Sequence, residues 1–235
     1  MKQQAKHIGI VGCSAAGAAL CYTTLCTEAP TFLGPHAHPE ISMHTHSLAD
    51  YVTCLEAGDL GGVAALMHSS AEKLIGMGAE LLICPDNTIH QALGIIRGQI
   101  PVPWLHIAEV VAQEAKRLGH QKPGILGTRW LVESSVYPDA LEAHDLKWHK
   151  PNPEQTNLMS DFIMDELVCG TFKESSTTQL IHVIDDLQDQ GCDSVILGCT
   201  ELPLVLNDDN SPLPTLNSNR LLAEAALRAA MVELT

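Results

Sequence analysis

The chain has 235 residues, 46% hydrophobic and 17% charged, which suits one α/β unit or two small lobes and excludes a disordered or low-complexity chain. Lys plus Arg number 13 against 28 Asp plus Glu, a net charge of −15 with no basic cluster, so neither nucleic acid nor an anionic membrane is an expected partner. No apolar run approaches the roughly 18 residues needed to span a bilayer, and MKQQAKHIGIVG leads into a strand-like run without a signal-peptide cleavage pattern, giving a cytoplasmic expectation.

In chain order, short apolar and β-branched runs ending in Gly or polar residues predict buried parallel strands at 7–12, 80–84, 124–127 and 193–198, with 41–45 a weaker fifth. Between them, Leu60, Val63, Ala64, Met67, Leu74 and Ile75 recur at helical spacing before Gly78. Ile107, Val110, Val111, Ala115 and Leu118 repeat the pattern before Gly119, and Leu180, Ile181, Val183, Ile184 and Leu187 do so before Gly191. A last helix is expected from about Ser218, read as its N-cap, through the C-terminus. Such strand–helix alternation means α/β: mostly parallel sheets flanked by helices.

The halves echo one another. Gly78 followed by AELLICPDNT resembles Gly191 followed by CDSVILGCTEL, so Asp86 and Cys199 fall at matching places. We therefore expect two similar lobes, residues 1–100 with 210–235 and residues 101–209, with the active site in the cleft between them. The boundary is placed at the Pro-containing stretch 100–103, and the return at 207–214.

The eight cysteines (13, 21, 26, 54, 84, 169, 192 and 199) show no CxxC pair and no zinc-like spacing, so they are read as thiols, most of them small core hydrophobes. Among twelve histidines, His36 with His38 and His44 with His46 each put two imidazoles on one side of an extended segment, but no Cys or carboxylate stands at ligand spacing. No metal is expected. His44, late in a candidate strand, is read as a substrate contact at the cleft mouth. GIVGCSAAG lacks the GxGxxG spacing of a nucleotide loop. PDNT (85–88) is also ordinary turn and capping chemistry, which gives Asp86, Asn87 and Thr88 a structural alternative. His90 is read either as tuning Asp86 or as a surface residue, and Glu201 either as a cap or as a partner for a substrate ammonium.

LGCTELPLV (197–205) resembles the second catalytic motif of the cofactor-independent aspartate/glutamate racemase family. CPDNTIH (84–90) stands where that family carries its first motif, usually Cys-Asn-Thr. HIGIVGCSAAG, LHIAEVV (105–111), GILGTRW (124–130) and DELVCGTF (165–172) follow in the family's order, so the resemblance covers essentially the whole chain. It implies two α/β lobes, a homodimer, an amino-acid or other small carboxylate substrate, and chemistry without pyridoxal phosphate or any other cofactor. Residue by residue, Cys199 matches the second catalytic thiol. Asn87, Thr88 and Thr200 match positions that hold the substrate's α-carboxylate, with Ser14 and Thr128 lining the same pocket.

Two departures matter. Aligning Asn87 and Thr88 puts Asp86, not a cysteine, at the first catalytic position, with Cys84 two residues earlier and deeper in the strand. An Asp86/Cys199 pair is unequal: with ordinary values near 3.9 and 8.5, carboxylate plus thiol is favoured over acid plus thiolate by roughly 6 kcal/mol. Two-way racemisation then needs the site to offset that gap. Without the offset, the pair suits one-way isomerisation or decarboxylation with Cys199 as proton donor, and a non-catalytic carboxylate binder is the remaining alternative. As for the second departure, Leu158 and Asn217 replace a basic and an acidic residue frequent in the family, leaving Arg129 or a histidine as the cation for a distal carboxylate. Opposite-face attack on one carbon would need the Asp86 and Cys199 groups about 7–9 Å apart.

Overall fold

The computed structural model describes residues 5–231 and divides the chain into two compact units, one running through Ile107 and resuming at Asn219, the other Ala108–Ser218. In the first unit the order is β1 (Ile8–Gly12), α1 (Ala15–Glu28), α2 (Pro30–Leu33), β2 (Ile41–Thr45), α3 (Leu48–Glu56), α4 (Leu60–Gly76), β3 (Leu81–Ile83), α5 (Leu93–Ile96) and β4 (Trp104–Leu105). The strands form one sheet in the order β2-β1-β3-β4, every pair parallel. β1 and β3 are buried along their whole length, as continuous apolar runs in the middle of a parallel sheet should be. The apolar stripe of α4 (Val63, Ala64, Met67, Ala71, Leu74) packs in one core with Val11, Leu82, Ile89 and Tyr51.

The second unit continues with α6 (Ile107–Leu118), β5 (Pro123–Leu126), α7 (Arg129–Val132), α8 (Val136–Glu142), α9 (Pro153–Asp161), α10 (Glu174–Asp189), β6 (Ser194–Leu197) and β7 (Thr215–Asn217). Its sheet runs β5-β6-β7, again all parallel. Asn152 and Gln155 form a reciprocal capping box at the start of α9, which passes into a π-turn over Phe162–Leu167. α11 (Ser218–Met231) follows β7, and from Asn219 onward it belongs to the first unit. Ser218 is the first helical residue rather than the cap, and its hydroxyl donates to the Leu197 carbonyl. The expected continuation of this helix beyond Met231 lies outside the described residues.

The glycines expected to stop helices share one device. After α4, Gly78 N–H bonds to Ile75 O and Ala79 N–H to Leu74 O; after α6, Gly119 and His120 bond to Lys116 and Ala115; after α10, Gly191 and Cys192 bond to Gln188 and Leu187. All three glycines have positive φ, as this helix-ending motif requires. The same stop thus feeds β3, β5 and β6.

The two strands missed in the sequence move the unit boundaries. β4 pairs with β3, which carries the first unit past residues 100–103. β7 pairs with β6, which keeps residues 208–218 in the second unit. Both are two- or three-residue strands, too short for a periodic signal. Among the described residues, no helix is long and apolar enough to cross a membrane.

Candidate active site

In a parallel sheet every strand ends on the same edge, and ligands gather beyond the carboxyl ends. In the first unit that edge carries Ser14 after β1 and Asp86, Asn87 and Thr88 after β3. Ser14 is buried and caps α1, its Oγ accepting from Gly17 N–H at 3.2 Å. The Gly17 carbonyl in turn accepts from Asn219 Nδ2 at 2.9 Å, which ties the start of α11 to the same turn.

Asp86 is half-buried, and its Oδ1 accepts from Ile89 N–H at 3.1 Å, so it does cap the short 3₁₀ turn Thr88–Ala92. Asn87 and Thr88 are buried, and the Asn87 side chain takes no part in capping. Cys84 is fully buried; burial first, then the charge of Asp86, pushes its thiol well above the usual range. It is a core thiol held protonated, as inert structural cysteines are.

His90 resolves differently from either sequence reading. It is 3% exposed, and its ring meets the backbone carbonyl of Asp86. Ile107 N–H donates to Nε2 at 3.3 Å, so the proton sits on Nδ1, which donates to the Asp86 carbonyl at 2.6 Å. Burial, followed by the His106 ring 4.6 Å away, pulls its pKa down to about 3, so the ring stays neutral. His90 therefore latches the Asp86 turn to the first residue of α6.

Tyr51 of α3 went unread in the sequence. It is fully buried in the core shared by Cys13 and Cys84, and burial raises its phenol above the ordinary range, with the neighbouring Cys84, Cys13 and Asp86 adding to the effect.

His44 lies within β2, opposite Val11. Lys73 Nζ lies 3.0 Å from its Nε2, and its Nδ1 lies 2.9 Å from Ser70 Oγ, so the ring is taken up by α4. Burial, then Lys73, then His46 lower its pKa. His38 Nδ1 donates to the Pro39 carbonyl at 2.8 Å. Among the described residues no three His, Cys, Asp or Glu side chains are grouped as metal ligands.

In the second unit the corresponding edge carries Thr128 after β5 and Cys199 and Thr200 after β6. Thr128 is buried and caps α7 through Leu131 N–H. Arg129, next along, donates its N–H to Ser160 Oγ, while its guanidinium lies 4.9 Å from the Trp130 ring centre. Leu158 is half-buried on α9, and Asn217 ends β7.

The glycines of GILGT and LGCT are set by close approach. A Cβ on Gly198 would stand 2.4 Å from the Leu126 carbonyl oxygen and 2.7 Å from Leu131 Cδ2; one on Gly127 would stand 2.7 Å from the same leucine carbon. Gly198 N–H donates to that Leu126 carbonyl at 2.8 Å, so the two strand ends are locked together immediately before the thiol.

Cys199 is buried, and its Sγ donates to Glu201 Oε2 at 2.9 Å. Thr200 Oγ1 donates to the same oxygen at 3.1 Å. Glu201 is 2% exposed, and its Oε1 is buried without a hydrogen-bond partner. The expected capping role is overturned: Glu201 occupies the N-cap position of the turn Leu202–Leu204, yet its side chain makes no cap bond and turns back on the thiol.

Comparison with known proteins gives a consistent result. Residues 8–226 match the model of the family described as Asp/Glu/Hydantoin racemase. The chain is 26% identical over 161 residues to the broad specificity amino-acid racemase RacX of Bacillus subtilis, covering 67% of each protein. It is 28% identical over 164 residues to a glutamate racemase of Thermus thermophilus, covering 68% of this chain and 59% of that one. The match thus spans about half to two thirds of the length of the curated relatives, 52% for a glutamate racemase from Sulfurihydrogenibium. Among solved structures, a candidate Asp/Glu racemase from Yersinia pestis superposes with a TM-score of 0.87 at 28% identity, covering 96% of this chain and 99% of that one. An aspartate racemase homologue from Pyrococcus horikoshii gives 0.82 at 25% identity with the same coverage. The chain belongs to the Asp/Glu/Hydantoin racemase family.

Proposed function

We propose that this protein moves the Cα proton of an amino acid without a cofactor, with the Asp86 carboxylate and the Cys199 thiol as its two proton-transfer groups. The observation that carries this reading is Cys199 itself: a buried thiol on the Gly198 turn directly after β6. Asp86 takes the proton from Cα. The negative charge spreads onto the substrate carboxylate, where donors from Ser14, Asn87, Thr88 and Thr128 and the backbone N–H of Thr200 stabilise it. Cys199 then gives its proton to the opposite face of the carbon, and the reverse turnover exchanges the roles. Leu158 and Asn217 supply no charge for a distal carboxylate, which supports a substrate range that includes neutral amino acids.

The test is Cα exchange in D₂O over a panel of D- and L-amino acids, acidic and neutral. Exchange with inversion is the expected result, abolished by Cys199→Ala. A folded protein that exchanges none of the panel would refute the proposal, and strict use of aspartate would refute its substrate range. A homodimer and a cytoplasmic location belong to the same proposal on the family resemblance, and sedimentation of the purified chain checks the dimer.

One observation favours a second reading. The Cys199–Glu201 contact supports a resting state of thiol plus carboxylate, which suits one-way protonation after decarboxylation or isomerisation of a small carboxylate. CO₂ release or a rearranged product, with no inversion, would select it. Binding of a carboxylate with neither outcome would mark a non-catalytic relative.

A further inference from the structure

We propose that Glu201 is the positioning residue for Cys199: its buried carboxylate keeps the sulfur loaded with the proton that the thiol donates. The inference rests on the reading above, in which Cys199 transfers a proton to carbon, and adds a group which that reading does not use. Three observations carry it. Sγ and Thr200 Oγ1 both donate to a single oxygen, Oε2, at 2.9 and 3.1 Å. The carboxylate is almost completely buried, and its other oxygen has no hydrogen-bond partner. Its position at the head of the turn Leu202–Leu204 offers it a cap bond that it does not make. A side chain that forgoes a cap for a thiol and a hydroxyl is placed for them.

The electrostatic consequence is direct. Losing the thiol proton would leave a thiolate in contact with the buried carboxylate, so the contact favours the S–H form. Other elements at this edge bring Gly127 and Thr128 from the end of β5, Tyr137 from α8, and Asn217 and Ser218 at the β7–α11 junction. Of these only Tyr137 titrates; burial raises its phenol above the ordinary range while a hydrogen bond with Ser218 opposes the shift. Arg129 follows Thr128 directly, and its guanidinium stacks on Trp130, while Arg220, two residues after Ser218, pairs with Glu28 and Glu224. Donation leaves a thiolate beside Glu201, and the proton is regained from the next substrate or from water.

The experiment compares Glu201→Gln with Glu201→Asp in the full chain, reading alkylation of Cys199 by iodoacetamide at neutral pH through mass spectrometry of its peptide. Cys169, exposed on another segment, serves as the internal reference. If the charge holds the proton, Gln, which keeps the shape and loses the charge, speeds Cys199 alkylation about tenfold or more, while Asp stays within about threefold of the parent. A packing role predicts the reverse order, with the shorter Asp the more disruptive, and that order would overturn the proposal, as would equal rates in all three proteins. Should Gln fail to fold, an Asp variant alkylating tenfold faster than the parent would also overturn it, and a parent-like rate would support it. The readout needs no turnover, so absence of Cα exchange in the parent would refute the proposed function while leaving this comparison intact.

Discussion

Asp86 performs a structural job that can be separated from the chemical one proposed for it. Its Oδ1 accepts the backbone N–H of Ile89 at 3.1 Å, and loss of such a cap costs about 1 kcal/mol. Asparagine keeps the acceptor and removes the charge; alanine removes both. Asp86→Asn should therefore unfold within about 0.5 kcal/mol of the parent. Asp86→Ala should lose about 1 kcal/mol, a fall of roughly 2–4 °C in Tm for a chain of this size. Both should lose Cα exchange by about 10²–10⁴-fold, since neither an amide nor a methyl group can accept the proton. Urea denaturation gives the first quantity, and loss of the Cα proton signal in D₂O gives the second. Full exchange in Asp86→Asn would reduce Asp86 to a cap and refute the assignment. Asp86→Cys approaches from the other side. It gives up the cap, yet it removes the roughly 6 kcal/mol inequality between carboxylate and thiol, so racemisation should rise.

Three further outcomes follow from the geometry. Gly198→Ala would push a methyl group to 2.4 Å from the Leu126 carbonyl, which is fixed by its bond to Gly198 N–H, and should cost about 3 kcal/mol in urea denaturation; a loss below about 0.5 kcal/mol would contradict the close packing. His90, held near a pKa of about 3 against an ordinary value near 6.5, binds fewer protons folded than unfolded between those limits. Its contribution is complete above about pH 6.5 and is lost as pH falls toward 3, at up to about 1.4 kcal/mol per pH unit, and His90→Gln should flatten that slope. An unchanged slope would show that other groups set the acid limit. Cys84→Ala should cost about 1 kcal/mol and keep Cα exchange; loss of exchange in a folded variant would move the catalytic role from Asp86 to Cys84.

The frame was legible because each long element repeats a physical requirement. Five strands are continuous apolar runs or follow a helix stopped by a positive-φ glycine, and Gly78, Gly119 and Gly191 mark those stops in the sequence itself. β4 and β7 were not legible because two or three residues carry no period, and the first lies next to prolines that read as a lobe boundary. The candidate site divides in the same way. Motif spacing located the turns carrying Asp86 and Cys199, and the capping alternative for Asp86 was visible in PDNT. What the spacing does not encode is which way a side chain turns once the backbone has folded. His90 went to a carbonyl rather than a carboxylate, Glu201 to a thiol rather than a cap, and His44 to Ser70 and Lys73 on α4.

The Glu201 contact also constrains the substrate. In the swapped form of the proposed pair, with Asp86 protonated and Cys199 ionised, the thiolate lies against the Glu201 carboxylate, which adds to an inequality already near 6 kcal/mol. Two-way racemisation therefore needs a positive charge brought to the thiol turn with each turnover. The substrate itself can bring that charge. An α-ammonium group does so; the hydroxyl of a 2-hydroxy acid does not. Amino acids should consequently undergo exchange with inversion, while the matching 2-hydroxy acids bind and exchange at least tenfold more slowly. Equal exchange of an amino acid and its hydroxy analogue would mean that the thiolate is offset by some other group, and the asymmetric pair would have to be abandoned as the source of specificity.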